Sequence, residues 1–397
     1  MKKILIIMPS MFIGGAERSL LGLLEAFDYD QYQVDLFLYR HEGELLQYIP
    51  EEVNVLPENE YYKVFDVSIK SLLFSKKIIY GIARICSKVA LHIHSALKKE
   101  PAGIWMNMQY TSKFLQPFLP KIKGHYDLGI MFLGIADTLI NKVDSDMKIT
   151  WNHTDYDTLG PDKKMDLETY SKVDYVVSVS DECTQKVIKH YPELKEKAIT
   201  IENLLAKDFI IKQSKEKIEN PFDLNTDFNL LSIGRYCEAK NFDNVPFICK
   251  KLLDLGLNIK WYIIGYGGDE EKIVQNIKKN HMEDYVILLG KKTNPYPYIK
   301  ACDVYVQPSR YEGKCVSVRE AQILNKPVII TNYATAKNQL VNGYDGMIVP
   351  LENEKCALGI YNVLANKDLL HTISENTYKS DYSNYDSIND LINLIND

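Results

Sequence analysis

The sequence has few cysteines, and their spacing excludes two kinds of small-protein framework. There are seven, an odd number, and no two of them lie closer than 12 residues apart. Scattered cysteines of this kind predict neither a disulfide framework nor a zinc knuckle. We therefore expect a cytoplasmic protein whose thiols are reduced.

Long apolar runs are also missing. Nowhere do about 18 apolar residues follow one another without a charge, so the sequence predicts no membrane-spanning helix. The N-terminal segment MKKILIIMPSMFIGGAERS begins with lysines and an apolar run, as a signal peptide does, but Pro9 and the pair Gly14-Gly15 interrupt it. We therefore interpret residues 4–9 as a buried first strand.

Acidic residues are almost absent between residues 67 and 123. This segment carries ten basic side chains and one acid, Glu100, so its net charge is +9 in a chain of net charge −6. The basic residues alternate with apolar ones such as Ile78, Ile82 and Ile85, as in an amphipathic surface helix. Two interpretations stay open: a helix on the anionic inner face of a membrane, or a solvated basic face above an ordinary core stripe. No nucleic-acid recognition motif accompanies the patch, and we expect no nucleic-acid partner.

What the sequence does contain is length and a repeating α/β pattern. Its 397 residues exceed what one hydrophobic core normally organises, which favours two domains. Apolar runs alternate with helical patterns such as 16–27 and 182–190, which predicts parallel sheets with crossover helices. The predicted strands are 4–9, 34–39, 128–133, 148–152, 175–179 and 198–201 in the first half, and 229–233, 261–264, 286–289, 304–307, 328–331 and 347–349 in the second.

A polar segment at residues 207–227 separates these two series of strands and is typical of a hinge. We predict an N-terminal domain at 1–206 and a C-terminal domain at 207–379. Apolar residues near the C-terminus predict a final helix, at about 380–397, that packs back on the first domain.

Ligands of open parallel sheets bind beyond the carboxyl ends of the strands, so the loops after the predicted strands are candidate sites. The loop after the first strand contains Gly14-Gly15, which allow close approach of a ligand to the backbone, and then opens a helix. It has no GxGxxG pattern, so dinucleotide binding is not supported. The first loop of the second half contains Gly234, Arg235 and Lys240, two cations suited to a diphosphate.

The next two loops carry weaker signals. Gly265 and Gly267 permit a sharp turn from strand to helix, which structure alone explains. Gly290, which follows an apolar strand, would let the backbone approach a nucleobase.

The most informative loop follows the strand at 304–307 and contains Glu312-Gly313 and Glu320. Carboxylates eight residues apart lie about two turns apart on a helix and on roughly the same side of it. We expect one to accept hydroxyl protons from a sugar and the other to reach a ribose. The backbone amides of residues 313–315 are expected to point at anionic or hydroxylated groups.

These motifs, taken in order, resemble family 4 of the glycosyltransferases, within glycosyltransferase group 1. The resemblance covers most of the chain, although Lys314-Cys315 depart from the aromatic and small residues that often follow Glu-Gly in that family. The residues that carry it are Gly14, Gly15, His153, Asn203, Gly234, Arg235, Lys240, Gly265, Gly267, Ser309, Glu312, Gly313, Glu320 and Ala321.

The resemblance implies the α/β GT-B fold, in which two Rossmann-like, doubly wound domains face a central cleft. It implies retaining transfer of a hexose or N-acetylhexosamine from a nucleotide sugar, UDP-linked, to a saccharide acceptor. That acceptor would bind the N-terminal domain. The positive charge of residues 67–123 favours a lipid-linked saccharide at the inner membrane face, as in cell-envelope or capsular polysaccharide synthesis, and a protein acceptor stays open as the alternative. A nucleotide-sugar epimerase and a non-catalytic partner protein are the alternatives.

The family's site residues carry over to this sequence. By the resemblance, Glu320 binds the ribose, Glu312 the donor sugar, Arg235 and Lys240 the diphosphate, and His153 lies beside the reacting centre. His153 has a second interpretation, as a core histidine with both ring nitrogens satisfied. The donor-binding residues expected on the same basis are Gly14, Gly15, Gly234, Gly265, Lys292, Gly313, Lys314, Cys315, Val316 and Glu320.

No metal or other cofactor is expected. Glycosyltransferases of the GT-A kind hold a cation with an Asp-x-Asp motif, and this chain has three such pairs, at 28–30, 144–146 and 155–157. The first pair follows a helix, the second lies in a polar turn, and the third follows His153, where the family has no metal. In a GT-B site Arg235, Lys240 and helix N-termini would replace the cation.

Overall fold

The structure is a computed structural model that describes residues 1–99 and 101–396. Glu100, the single acid of the basic segment, lies outside the described residues. The chain divides into two compact units, one formed by Met1–Leu204 with the residues from Tyr385 onward, the other by Leu205–Asn384.

The first unit is built on a seven-stranded sheet in the order β3-β2-β1-β4-β5-β6-β7. All of its strand pairs are parallel, and Ile4 in β1 lies in register with Val34 in β2 and with Leu128 in β4. The strands are β1 Lys2–Met8, β2 Tyr32–Leu38, β3 Asn54–Val55, β4 His125–Met131, β5 Asp144–Asn152, β6 Tyr175–Ser178 and β7 Ala198–Thr200.

Helices connect these strands as crossovers. They are α1 Gly15–Ala26, α2 Ile69–Leu73, α3 Ile78–Lys98, α4 Ile104–Leu115, α5 Asp137–Lys142, α6 Lys163–Tyr170 and α7 Asp181–His190. The long connection from β3 to β4 contains α2, α3 and α4, which together make up most of the basic segment 67–123.

The first sheet is covered on both faces, because alternate residues of a strand point to opposite sides. In β1, Ile4 and Ile6 belong to one apolar cluster, while Leu5 and Ile7 belong to the other. All four are fully buried, so the prediction of a buried first strand is confirmed.

The second unit is built on a six-stranded parallel sheet in the order β10-β9-β8-β11-β12-β13. Its strands are β8 Phe228–Ile233, β9 Ile259–Ile264, β10 Val286–Gly290, β11 Val304–Gln307, β12 Val328–Thr331 and β13 Met347–Val349. Its helices are α8 Lys207–Gln213, α9 Val245–Asp254, α10 Glu270–Lys279, α11 Tyr296–Ala301, α12 Val316–Ile323, α13 Ala336–Gln339, α14 Asn353–Leu364 and α15 Lys367–Lys379.

Buried polar side chains join the central strands of this second sheet. The indole of Trp261, fully buried in β9, donates to the hydroxyl of Ser232 in β8 at 2.8 Å. That hydroxyl donates in turn to the carbonyl of Val306 in β11 at 2.5 Å. A buried donor is costly when it is unpaired, so this chain of hydrogen bonds lets polar groups cross an otherwise apolar core.

The chain returns to the first unit at its C-terminal end. Helix α16, Ile388–Asn396, places Ile388, Leu391 and Ile395 in the same apolar cluster as Ile4 of β1. Lys2 donates to the backbone carbonyl of Ile395 at 2.5 Å.

One strand was absent from the predicted set. β3 has two residues and lies at the edge of the first sheet, and its Asn54 is exposed, so it lacks the apolar run by which the other strands are recognised. Across residues 1–99 and 101–396, no helix combines the length and the apolar content that crossing a membrane requires.

Candidate functional site

The second unit places five loops at one edge of its sheet. Because β8 to β12 are parallel, their carboxyl ends meet at the same edge. The loop after β8, which carries Arg235 and Lys240, lies beside the loop after β11, which carries Glu312, since β8 and β11 are neighbours in the sheet.

A buried ion pair joins these two loops. The ammonium of Lys240 lies 2.6 Å from a carboxylate oxygen of Glu312, and the two side chains are 18% and 11% exposed. Burial alone would lower the pKa of Lys240, but the pKa is raised, because the ammonium lies against negative charge. The neighbouring thiol of Cys315 has its pKa raised to about 11 by burial and is neutral at physiological pH, so the charge is that of Glu312.

A series of hydrogen bonds between buried side chains also holds the Glu312 carboxylate. Ser309 donates to the same Glu312 oxygen at 2.5 Å and accepts from the amide of Gln307 at 2.9 Å. The side-chain oxygen of Gln307 accepts a hydrogen bond from the hydroxyl of Tyr305 at 2.7 Å. Tyr305, Gln307 and Ser309 are fully buried, so the carboxylate is held from inside the unit in one orientation.

A second ion pair clamps the same loops together. Arg310 donates from two nitrogens to the two oxygens of Asp243, at 2.9 and 3.0 Å. Burial would raise the pKa of Asp243, but hydrogen bonds from Arg310 and Lys272 lower it below its ordinary value. Bidentate geometry of this kind is specific as well as strong, and it keeps the β8 loop against the β11 loop.

The glycines of this edge are explained by close packing of backbone. A Cβ atom on Gly265 would lie 2.0 Å from the carbonyl oxygen of Gly234, and one on Gly267 would lie 2.4 Å from the carbonyl oxygen of Tyr236. Gly267 also has φ +156°, at the border of the region that favours glycine. The loops after β8 and β9 therefore touch through main-chain atoms, which a side chain would prevent.

Arg235, unlike Lys240, has no hydrogen-bond or ion-pair partner among residues 1–99 and 101–396. Its side chain is exposed. Lys292, which follows Gly290 in the loop after β10, lies 5.5 Å above the ring of Tyr298. Both cations lie beyond the carboxyl ends of strands, where an anionic ligand would meet them.

Glu320 lies inside the unit rather than on its surface. It is fully buried in α12, and one carboxylate oxygen accepts from the phenol of Tyr296 at 2.9 Å. A ribose reaches this carboxylate only if the residues that cover it move. The predicted helical spacing of the two glutamates is wrong, because α12 begins at Val316 and Glu312 belongs to the preceding loop.

The three amides expected to face a ligand are not equivalent. The amide of Cys315 donates to the side chain of Gln339 at 2.8 Å, and Gln339 donates back to the Cys315 carbonyl at 3.3 Å. This amide is therefore engaged within the protein. Gly313 and Lys314 are half-buried at the turn, and Val316 is the buried first residue of α12.

Several contributors to this site were not recognised in the sequence. The loop after β12 supplies Thr335, whose hydroxyl donates to the backbone carbonyl of Glu312 at 3.0 Å, and helix α13 supplies Gln339. Tyr296, Arg310 and Asp243 were also missed. The only sequence signal for these missed residues was that they follow predicted strands; Tyr296 lies in a short helix that follows such a strand.

In the first unit, the Gly14-Gly15 pair begins a helix. Gly14 is extended and precedes α1, whose first residue is Gly15. A Cβ atom on Gly14 would lie 2.2 Å from a carboxylate oxygen of Glu17, so this acid folds back over the helix N-terminus. An anion that approaches the N-terminus of this helix meets the Glu17 carboxylate first.

His153 follows β5 of the same unit and is half-buried. Its Nε2 lies 2.8 Å from the carbonyl oxygen of Phe132, which can only accept, so this nitrogen carries the proton. The ring stacks on Trp151 with 6.2 Å between centroids. Burial lowers the pKa of His153 to about 4, against opposing hydrogen bonds with Phe132 and Asn203. The imidazole is therefore neutral at physiological pH.

Acid is therefore expected to destabilise the protein through His153. Because the folded-state pKa lies below the ordinary value of 6.5, the unfolded chain takes up a proton between pH 6.5 and 4 that the folded chain refuses. The stabilisation is present above pH 6.5 and declines toward pH 4, by up to about 3 kcal/mol. The free energy of unfolding, measured by urea denaturation at several pH values in this range, should fall less steeply with decreasing pH in His153→Phe than in the wild type. The matched control is His371→Gln, since the side chain of His371 is 74% exposed; equal slopes in all three proteins would contradict the prediction.

The three Asp-x-Asp pairs have partners of their own. Asp28 accepts from the backbone of Asp30 at 3.0 Å. Asp144 and Asp146 flank His125, each at 3.4 Å. Asp155 pairs with Lys186 at 2.5 Å and Asp157 with His190 at 2.6 Å. Within residues 1–99 and 101–396, no three or more histidine, cysteine or acidic side chains are grouped as metal ligands would be.

The fold and this edge of the sheet define a class of protein. Two parallel-sheet, Rossmann-like units are the architecture of the GT-B glycosyltransferases, and the predicted α/β fold class is confirmed. Across its whole length the chain is similar to a crystal structure of S. aureus TarM in complex with fondaparinux, alpha-GlcNAc-glycerol and UDP. That similarity has a TM-score of 0.68, 15% identity and 100% coverage of both chains.

Residues 214–380 match the family described as glycosyl transferases group 1, so the second unit carries this family's domain. The resemblance to glycosyltransferases is confirmed at the level of group 1. A Campylobacter jejuni N-acetylgalactosamine-N,N'-diacetylbacillosaminyl-diphospho-undecaprenol 4-alpha-N-acetylgalactosaminyltransferase is 23% identical over 220 residues, 55% of this chain and 58% of that protein. A capsular polysaccharide biosynthesis glycosyltransferase of Staphylococcus aureus is 26% identical over 219 residues, 51% of this chain and 56% of that protein. The chain spans about half the length of the curated relatives it matches.

Proposed function

We propose that this protein is a retaining glycosyltransferase that moves a sugar from a UDP-sugar to a hydroxyl of a saccharide acceptor. One observation carries the proposal: a single edge of the second sheet gathers the exposed cation of Arg235, the buried pair Lys240–Glu312 and the buried carboxylate of Glu320. A donor needs charge neutralisation for its diphosphate and hydrogen-bond acceptors for its hydroxyls, and these groups supply both.

The division of roles follows from charge and exposure. Arg235 is exposed and rigidly forked, which suits a diphosphate that gains negative charge as the bond to the sugar breaks. Glu312 is held by Lys240 and Ser309 and retains acceptor capacity for sugar hydroxyls. Lys240 balances the charge of Glu312, and its ammonium would lie near the leaving group. Glu320 takes the ribose once its cover has moved.

We infer retention of configuration from the resemblance to family 4 of the glycosyltransferases. The groups of this edge stabilise the leaving diphosphate, and none of them is offered as a nucleophile. In the proposed reaction the acceptor hydroxyl attacks on the face from which the diphosphate departs, and the departing phosphate takes up the hydroxyl proton. Analysis of the product by NMR should show the anomeric configuration of the donor.

The comparisons support UDP as the nucleotide and a saccharide as the acceptor. The similar TarM structure was determined with UDP and alpha-GlcNAc-glycerol, and the name of the C. jejuni relative includes a diphospho-undecaprenol saccharide. The S. aureus relative is named for capsular polysaccharide biosynthesis. We propose a hexose or N-acetylhexosamine donor and a lipid-linked saccharide acceptor in the synthesis of an envelope polysaccharide.

The decisive measurement combines a binding screen with an assay. UDP or a UDP-sugar is expected to raise the melting temperature, since a ligand at 100 times its Kd stabilises the folded state by about 2.7 kcal/mol. Transfer to a lipid-linked saccharide should continue in EDTA, because Arg235 and Lys240 take the place of a cation. Loss of turnover in EDTA that Mg²⁺ restores would refute metal independence.

The same samples test the alternatives. An isomerised nucleotide sugar formed without any acceptor would instead identify an epimerase. A protein that binds no nucleoside diphosphate would be a non-catalytic relative.

A further inference from the structure

Helix α3 of the first unit has its apolar face turned outward. Its buried residues are Tyr80, Gly81, Ala83, Ser87 and Leu91, most of them small. Its most apolar face instead consists of branched residues spaced three or four apart, which are 40% to 53% exposed: Ile78, Ile82, Ile85, Val89 and Ile93. A surface helix normally buries its apolar stripe and exposes its polar face, whereas α3 buries mainly small residues and leaves its branched residues exposed.

This finding separates the two interpretations that the sequence left open. Had the aliphatic residues formed an ordinary core stripe, Ile78, Ile82 and Ile85 would be buried, and they are exposed. We call the five branched residues the α3 stripe. Four more exposed apolar side chains lie close to it along the chain: Ile79, Phe74 before α3, Leu97 in its last turn and Ile104 at the start of α4. Single exposed apolar residues need no explanation, but a contiguous patch marks an interaction surface.

The charges of the segment match this surface. Of the ten basic residues, two are used inside the protein: Lys77 pairs with Glu60 at 3.2 Å, and Arg84 donates to the backbone carbonyls of Val64 and Val67. The described residues between 67 and 123 include no acid. The remaining eight basic residues are all exposed: Lys70, Lys76, Lys88, Lys98, Lys99, Lys113, Lys121 and Lys123.

We infer that the α3 stripe is a docking surface for an anionic membrane. The helix would lie flat, with its branched side chains among the upper acyl chains and lysines such as Lys76, Lys88 and Lys99 at the lipid phosphates. At 21 residues α3 is about 31 Å long. Its other face is packed against the unit, so it lies on the bilayer and does not cross it.

Charge complementarity selects this occupant over a second copy of the chain. Two α3 stripes facing each other would bring together two segments that each carry eight exposed lysines and a single acid, Glu100. Like charges at such an interface repel, whereas an anionic leaflet attracts each lysine near its surface. The inference does not depend on the proposed activity, because membrane binding needs neither donor nor acceptor.

The test is co-sedimentation of the full chain with vesicles. The wild type is expected to bind vesicles of phosphatidylcholine with phosphatidylglycerol and to bind pure phosphatidylcholine weakly. The variant Ile82→Gln/Val89→Gln/Ile93→Gln should lose at least about tenfold in partitioning, because it removes the central part of the apolar stripe. Gln is at least as good a helix former as Ile or Val, so this variant is expected to fold.

A matched control keeps the result specific. Leu224→Gln/Leu255→Gln/Leu358→Gln also removes three exposed aliphatic side chains, but from the second unit, and should bind as the wild type does. On the charge side, Lys88→Gln should weaken binding about fivefold, as expected for one lysine near an anionic surface. Lys355→Gln, whose side chain is 74% exposed in α14, should not.

Four outcomes would overturn the inference. The first two are that the wild type sediments with neither vesicle type and that it binds both equally well. The third is that the stripe variant binds as strongly as the wild type. The fourth is that light scattering without vesicles shows a dimer that the stripe variant dissociates, which would identify a second copy as the occupant. Circular dichroism of the variant establishes that a loss of binding is not a loss of folding.

Discussion

Replacement of Arg235 by alanine is expected to lower kcat/KM by at least about 100-fold, the effect of losing one group that stabilises developing charge. The free energy of unfolding should change by less than about 0.5 kcal/mol, because an exposed side chain away from structural contacts contributes little to stability. This combination is unusual and informative. Arg235 is exposed and makes no hydrogen bond or ion pair within the described part of the chain, so a large kinetic effect would have to come from the substrate.

Two further variants calibrate this result. Arg235→Lys keeps the charge but loses the planar fork, and it should recover only part of the activity. Lys300→Ala removes an exposed cation from α11 of the same unit and should leave kcat/KM unchanged. Near-normal turnover in Arg235→Ala would show that this arginine does not contact the donor diphosphate.

Replacement of Glu320 by alanine is expected to impair both turnover and folding. A loss of at least about 100-fold in kcat/KM is expected if the carboxylate binds the ribose. The same change empties a fully buried position and removes the acceptor of the Tyr296 phenol, which should cost about 2 to 4 kcal/mol of stability. Steady-state kinetics and urea denaturation measure the two losses separately.

The two losses are separated by milder variants. Glu320→Gln keeps the volume and an acceptor for Tyr296, so it should restore most of the stability while UDP affinity stays low. Tyr296→Phe removes only the phenolic hydroxyl and should leave UDP binding within a few-fold of the wild type. If Glu320→Gln binds UDP as the wild type does, the carboxylate has a structural role and the ribose assignment is wrong.

The strands could be predicted because their signal is local. Twelve strands were predicted, and each overlaps a strand of the structure, since a buried parallel strand shows itself as a short apolar run. β3 was missed because a two-residue edge strand with an exposed Asn54 has no such run. The two-unit α/β class followed from the order of these runs, and topology rules then placed the candidate loops at one sheet edge.

The partners within the site could not be predicted, because they are distant in sequence. Lys240 and Glu312 are 72 residues apart, and Arg310 and Asp243 are 67 apart. Only the order of strands, with β8 beside β11, brings them together. The same distance explains the one wrong geometric prediction: Glu312 was placed on a helix by its spacing from Glu320, whereas its ties to Lys240 and Ser309 hold it in a loop.

The sequence by itself determined the two series of parallel strands, the loops in which chemistry is expected and the positive charge of residues 67–123. Only the tertiary structure decided which groups are exposed. Arg235 and the branched residues of α3 are exposed to solvent, whereas Glu320 is fully buried. The physical reason is that periodicity defines the two faces of a helix, while burial depends on which of them packs against the rest of the unit. For α3 that is the face with the smaller residues, which lets it lie against its neighbours and leaves the apolar stripe uncovered.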